Sequence, residues 1–109
     1  MVIIDTFSDL ILYDKKRFEN IIEELTTDSA NSGIQLLMSD SRLGPGIYTD
    51  KIVDLFASKI CFNVSNPIDA KYILGSETYH AEELSGKGDL LYLAKDTTKP
   101  IRLQAPSLL

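Results

Sequence analysis

Apolar residues in this chain arrive in short bursts separated by polar segments. Val2, Ile3 and Ile4 form a β-branched run that stops at Asp5, the pattern of a buried parallel strand delivering an acidic side chain at its carboxyl end. From Asp14 onward, Phe18, Ile21, Ile22 and Leu25 fall at i, i+3, i+4 and i+7, which stacks them on one face of a helix. That helix is predicted to end before Gly33. Ile34 to Met38, interrupted only by Gln35, lies between Gly33 and the polar cluster Ser39, Asp40, Ser41 and Arg42, and reads as a second buried strand. Leu43-Gly44-Pro45-Gly46 has the chemistry of a loop, after which Thr49 can cap a helix carrying Ile52, Val53 and Phe56 inward. A third strand is predicted from Lys59 to Val64.

Asn66 followed by Pro67, with Asp69 in the first turn, marks a helix start. The Asn side chain accepts from a free amide, and Pro fills a position that needs no donor. Gly75 is placed to end that helix. Gly86-Lys87-Gly88-Asp89 leads into Leu90 to Leu93, and Lys99-Pro100 leads into Ile101 to Leu103, which predicts two adjoining strands. Strands alternating with helices build a parallel sheet with helices on its faces, so the class is α/β. Sites in such sheets lie off the carboxyl ends of the strands, here Asp5 to Asp9, Ser39 to Arg42, and Ser65 to Pro67.

Composition narrows the picture. The 109 residues allow one domain, and 44% apolar with 25% charged is a composition that folds. No apolar run approaches the ~20 residues of a membrane span. The amino terminus lacks the basic flank and small-residue cleavage site of a secretory signal. Cys61, the single cysteine, has no partner for an internal disulfide and reads as a small buried hydrophobe. These features point to the cytoplasm. The formal net charge of -5 is the wrong sign for gripping nucleic-acid phosphates by bulk electrostatics. Lys15-Lys16-Arg17 is the one run of three cations and reads as a solvated helix start. His80, the only histidine, reads as a surface residue.

Several segments, in order, resemble one family. Val2-Ile3-Ile4-Asp5-Thr6-Phe7-Ser8-Asp9-Leu10 is similar to the Walker B strand of FtsK/SpoIIIE DNA translocases, apolar residues followed by Asp-Glu and Leu-Ala-Asp-Leu. Gly33 to Arg42 resembles Gly-Ile-His-Leu-Val-Leu-Ala-Thr-Gln-Arg, and Phe62 to Asp69 resembles Phe-Arg-Val-Ser-Ser-x-Ile-Asp. Gly86-Lys87-Gly88-Asp89-Leu90-Leu91-Tyr92-Leu93 and Lys99-Pro100-Ile101-Arg102-Leu103-Gln104 resemble Gly-Lys-Gly-Asp-Met-Leu-Tyr-Leu and Lys-Pro-Ile-Arg-Val-Gln. The resemblance implies the carboxy-terminal part of a RecA-like motor domain of the P-loop NTPase type, spanning residues 1–109. Such a part is a partial three-layer α/β sandwich, with a mainly parallel sheet, helices on its faces and a carboxy-terminal strand pair. It would lack the Walker A segment and the winged-helix domain.

Departures from the family pattern fall on the chemistry. The resemblance gives Asp5 the role of holding Mg²⁺ beside a nucleotide, while Thr6 stands where the family has the Glu that polarises the attacking water. A hydroxyl with no accessible pKa is no general base near neutral pH. Ser41 replaces a γ-phosphate-sensing Gln, and Arg42 is kept; Asn63 replaces an Arg, and Leu43 a Pro. The stretch from Gly75 to His80 departs from a Gly-Gly pattern. No Gly-x-x-x-x-Gly-Lys-Ser/Thr occurs, so the backbone cradle for a triphosphate is missing. Gly86-Lys87-Gly88 does not replace it, because it precedes a strand rather than joining a strand to a helix.

Asp5 therefore reads either as a carboxylate bonded to a turn or as a weak Mg²⁺ contact that needs substrate phosphates to complete its ligand set. Arg42 reads either as a phosphate contact or as the surface partner of Asp40 or Asp50. The family implies ATP and Mg²⁺ as cofactors of the intact motor, with none expected on this chain alone, and double-stranded DNA as the motor's track. Two functions follow. One is a fragment or degenerate relative of a DNA-translocating ATPase, inactive in isolation. The other is a non-enzymatic module that self-associates or binds an intact motor. In the family the strand bearing the phosphate loop lies between the second and third strands found here. Those strands are thus expected to pair directly, or another chain to fill the gap.

Overall fold

A computed structural model describes residues 1–41, 46–76 and 79–107. Its contacts divide the chain into two compact units, Met1–Phe56 and Ala57–Leu109. The first unit begins with β1 (Val2–Asp5), which pairs in parallel with β2 (Leu36–Ser39) in the register Val2↔Leu36, Ile3↔Leu37, Ile4↔Met38 and Asp5↔Ser39. β2 begins two residues later than the apolar run suggests and ends one residue later, because the ladder is set by its partner. Gln35 contributes only its carbonyl, which accepts from the Val2 amide at 2.8 Å.

Between the strands runs α1 (Phe7–Thr27), interrupted at Asp14, where the backbone leaves helical geometry (φ -153°, ψ 86°). The Asp14 carboxylate accepts from the Arg17 amide at 3.2 Å, as a helix cap does, so the helix resumes there. The predicted helix is this second stretch. The first, Phe7–Tyr13, was not legible, because Leu10, Ile11, Leu12 and Tyr13 are consecutive and define no single face. Lys16 and Arg17 are exposed in the first turn of the resumed helix, as the solvated start requires, whereas Lys15 is half-buried.

Ile22 is buried, with Phe18 and Leu25 half-buried, whereas Ile21 is exposed at the margin of the face. Phe7, Ile11, Tyr48 and Ile52 are the other buried apolar side chains among the described residues of this unit, and the rings of Phe7 and Tyr48 lie 5.8 Å apart. Gly33 (φ 71°) closes the short α2 (Ser29–Ser32) in the left-handed conformation that favours glycine. Thr49 caps α3 (Asp50–Asp54), its side chain accepting from the Ile52 amide at 3.4 Å.

The second unit is an antiparallel sheet in the order β3 (Lys59–Phe62), β4 (Asp89–Leu93), β5 (Ile101–Gln104). α4 (Pro67–Leu74) starts at Asn66 as predicted, with the Asn66 side chain accepting from the Asp69 amide at 3.1 Å, and it ends at left-handed Gly75. Cys61, Ala70, Leu74, Leu84 and Leu91 form its core with Ala81 of a 3-10 turn (Ala81–Glu83). Cys61 is the buried hydrophobe expected.

Two expectations about the sheet are corrected. Among the described residues β1 and β2 are the parallel pair, and β3 takes β4 as its hydrogen-bonded neighbour, antiparallel, so of the two alternatives for β3 direct parallel pairing is not the one found. The reason is local. Gly86, Lys87 and Gly88 all have positive φ and turn the chain into β4, whose Leu91 then stands opposite Cys61 in the apolar cluster. Gly88 also disfavours a side chain, since its φ is 93° and a Cβ there would lie 3.0 Å from the Ala105 carbonyl. Asp89, buried at the start of β4, receives Arg102 of β5 at 2.9 and 2.6 Å and the Ser85 amide at 2.7 Å. Arg102 first, and then the Ser85 amide, hold Asp89 well below the usual carboxylate range.

Candidate functional site

The carboxyl ends of β1 and β2 place Asp5 beside Ser39, and the Ser39 hydroxyl donates to the Asp5 carboxylate. The Thr6 amide donates to the Ser39 carbonyl at 2.8 Å, extending the pairing one residue past the strand. Thr6 then turns the chain into α1 with left-handed backbone (φ 57°, ψ 55°), a conformation in which a β-branched residue is strained.

One turn deeper, Asp40 ties β2 to the start of α1. Its carboxylate accepts from the Ser8 amide at 2.6 Å, from the Ser8 hydroxyl at 2.9 Å and from the Tyr48 hydroxyl. Ser8 is fully buried. Asp40 thus caps an amide in the first turn of a helix 32 residues away in sequence. Burial, and after it the Asp40 carboxylate, push the Tyr48 hydroxyl far above its ordinary range, so it stays a neutral donor.

Of the residues singled out from sequence, the structure brings Asp5 and Thr6 together with Ser39. Ser41 is exposed two residues beyond the end of β2, and Arg42 lies outside the described residues. Sequence reasoning missed the tie between Asp40, Ser8 and Tyr48. The polar cluster after β2 flagged Asp40, but only as a surface partner of Arg42. Elsewhere His80 Nδ1 lies 3.0 Å from Glu82 Oε1, with Glu83 close enough that the three donor atoms fall within 4.8 Å of one another. His80 is exposed, as expected, and the hydrogen bond to Glu82 raises its pKa above the ordinary histidine value. The Cys61 thiol is pushed up to about 11 by burial and, less, by the Asp69 charge, so it is no nucleophile at neutral pH.

Chemically, the strand ends offer one exposed carboxylate and one hydroxyl in contact. Mg²⁺ asks for six oxygens in octahedral array and is commonly held by one or two carboxylates plus substrate phosphates. The donor set at Asp5 and Ser39 fits that ion only when a nucleotide supplies the remaining oxygens.

No family model matches the chain. Its sequence is 39% identical over 104 residues to the DNA translocase FtsK of Borreliella burgdorferi, covering 95% of this chain and 13% of that protein. It is 34% identical over 108 residues to the DNA translocase FtsK of Staphylococcus aureus strain Mu50, covering 99% of this chain and 14% of that one. It is 36% identical over 94 residues to the DNA translocase FtsK of Caulobacter vibrioides, covering 86% of this chain and 11% of that one. The chain is homologous to a segment of these translocases.

The fold is also found in a solved structure. The cytoplasmic domain of the Thermomonospora curvata type VII secretion ATPase EccC matches 94% of this chain and 12% of its own with a TM-score of 0.81, at 21% identity. The chain thus spans only about an eighth of the length of the translocases it resembles. Among the described residues no helix is long and apolar enough to cross a membrane.

Proposed function

We propose that the chain is the carboxy-terminal part of an FtsK/SpoIIIE-type motor domain, RecA-like in the intact protein, and that alone it hydrolyses no ATP. The observation that carries this reading is the similarity to DNA translocases across 95 to 99% of the chain, in the absence of any phosphate-loop motif. In the assembled motor, Asp5 would help hold Mg²⁺ beside ATP, with Ser41 and Arg42 toward the terminal phosphate. Double-stranded DNA would be the substrate of that motor, in the cytoplasm. Thr6 supplies no general base, and the Ser39 hydroxyl orients the Asp5 carboxylate through Oδ1.

The test is steady-state ATP turnover by the purified chain with Mg²⁺ and duplex DNA. Turnover at buffer background is expected for the wild type and for Asp5→Ala alike. Turnover that Asp5→Ala abolishes would overturn the reading.

A second reading, a non-enzymatic module that binds itself or an intact motor, is favoured by one observation. Ile3 and Leu37, neighbours in the β1–β2 ladder, are both exposed on a two-stranded sheet. α1 packs against this pair, and the apolar face that carries Ile3 and Leu37 is left open to further polypeptide. Light scattering of the chain with and without a complete FtsK translocase separates this module from a bystander.

A further inference from the structure

The antiparallel sheet of the second unit is built inside out. Its register sets Ile60, Tyr92 and Ile101 in one row and Phe62, Leu90 and Leu103 in the next, all on one face. The opposite face carries Cys61 and Leu91 into the core beneath α4, and it also carries the buried Asp89 and its partner Arg102. An antiparallel sheet that covers its core on one side ordinarily turns polar residues to water on the other. Here that face has none except the Tyr92 hydroxyl, and while Leu90 on the central strand is buried and Tyr92 half-buried, the flanking positions are open. Ile60, Phe62, Ile101 and Leu103 remain 53, 51, 58 and 47% exposed. A contiguous apolar patch of this kind marks a surface meant to be covered.

We infer that the face formed by Ile60, Phe62, Ile101 and Leu103 is an interface for the translocase polypeptide that lies outside this segment in its longer relatives. Two observations choose that occupant. The same backbone occupies only 12% of the EccC chain, and the sequence matches only 13% of a translocase, so in both the segment is one part of a much larger chain. A second copy is the poorer fit, because each copy brings a net charge of -5 and like charges repel. The inference rests on the motor-fragment reading and adds to it the surface by which the fragment joins its complement.

The experiment co-expresses the chain with the Borreliella burgdorferi FtsK from which the 104 matched residues are deleted, and purifies through a tag on the translocase. The chain is expected to co-purify in equal amount, and the double variant Phe62→Asp, Leu103→Asp to be recovered at least tenfold less. Both positions are half exposed, so the variant should keep the wild-type circular dichroism. If the deleted translocase is insoluble alone, its recovery in soluble form only with the chain counts as support, and insolubility in both cases counts against. Co-purification that the double variant leaves unchanged would refute this face while leaving the motor reading in place. A dimer of the chain, dissolved by the same two substitutions, would assign the face to a second copy and overturn the inference. Failure to co-purify at all would overturn the inference, while the fragment reading, carried by sequence similarity, stands or falls on the ATP-turnover test.

Discussion

Asp5 and Ser39 stand opposite one another at the last rung of a parallel two-strand ladder, and the serine hydroxyl donates to the aspartate. Parallel pairing is what aligns two strand ends from distant parts of the sequence. One register shift would send Asp5 to the other face. A carboxylate holding a hydroxyl through Oδ1 is positioned, and its second oxygen stays able to take a cation.

Asp40 is the residue on which the geometry of those strand ends depends. Replacing it with Ala takes the acceptor from the buried Ser8 amide and hydroxyl. An unsatisfied buried polar group costs roughly 1–3 kcal/mol, so Asp40→Ala should destabilise the chain by at least about that much in urea denaturation. A loss below about 0.5 kcal/mol, the size of an ordinary surface change, would show that the tie contributes little.

His80 and Glu82 should titrate as a pair. Hydrogen bonding to Glu82 raises the His80 pKa above 6.5, so this contribution is complete below the unfolded histidine value and is lost as pH rises through the higher folded one. Hydrogen bonding to His80 lowers Glu82 below 4.5, so its contribution is present above that value and is lost as pH falls through the folded one. The pair therefore contributes fully between the two unfolded values. An NMR titration of the imidazole should give a midpoint above 6.5 that Glu82→Gln brings back down. An unchanged midpoint in that variant would refute the assignment.

Cys61 should be inert toward thiol reagents in the folded chain. With its pKa near 11, about one thiol in a thousand is ionised at pH 8, and the side chain is buried against Ala70 and Leu91. Alkylation at pH 8 is expected to be at least a hundredfold slower in buffer than in denaturant. Equal rates would mean that the second unit's core opens freely.

Strained backbone at Thr6 gives a further check. Left-handed geometry at a β-branched residue costs on the order of 1–3 kcal/mol, and glycine relieves it at an entropic cost of about 0.5–1 kcal/mol. Thr6→Gly should thus leave stability unchanged or raise it by up to about 2 kcal/mol. A clear loss would show that the threonine side chain makes a contact which outweighs the strain.

Much of this arrangement was legible in the sequence, for identifiable reasons. Asn66-Pro67 and Gly75 bounded α4 because capping and helix termination depend on the residues themselves. The runs before Asp5 and after Gly33 gave both parallel strands but not their burial: consecutive apolar residues mark the strand, whereas Val2, Ile3 and Leu37 are exposed and no residue of either strand is buried. The partner of β3 was not legible. Lys59 to Phe62 has the same pattern whether it lies in a parallel or an antiparallel ladder, and the turn at Gly86 to Gly88 makes that choice. Nor was the role of Asp40 visible, because its acceptors serve residues 32 positions before it and 8 after it, brought close only by folding. Asp5 was placed by the strand that ends on it, while its role and that of Thr6 came from family resemblance, which locates a residue without showing what it touches.

The central claim is that this chain, by itself, has nothing that wraps a triphosphate. Isothermal titration calorimetry of the purified protein with Mg²⁺ and a non-hydrolysable ATP analogue tests it most directly. Only dilution heats are expected up to millimolar nucleotide, for the wild type and Asp5→Ala alike. A saturable one-to-one isotherm in the micromolar range, lost in Asp5→Ala, would contradict the account.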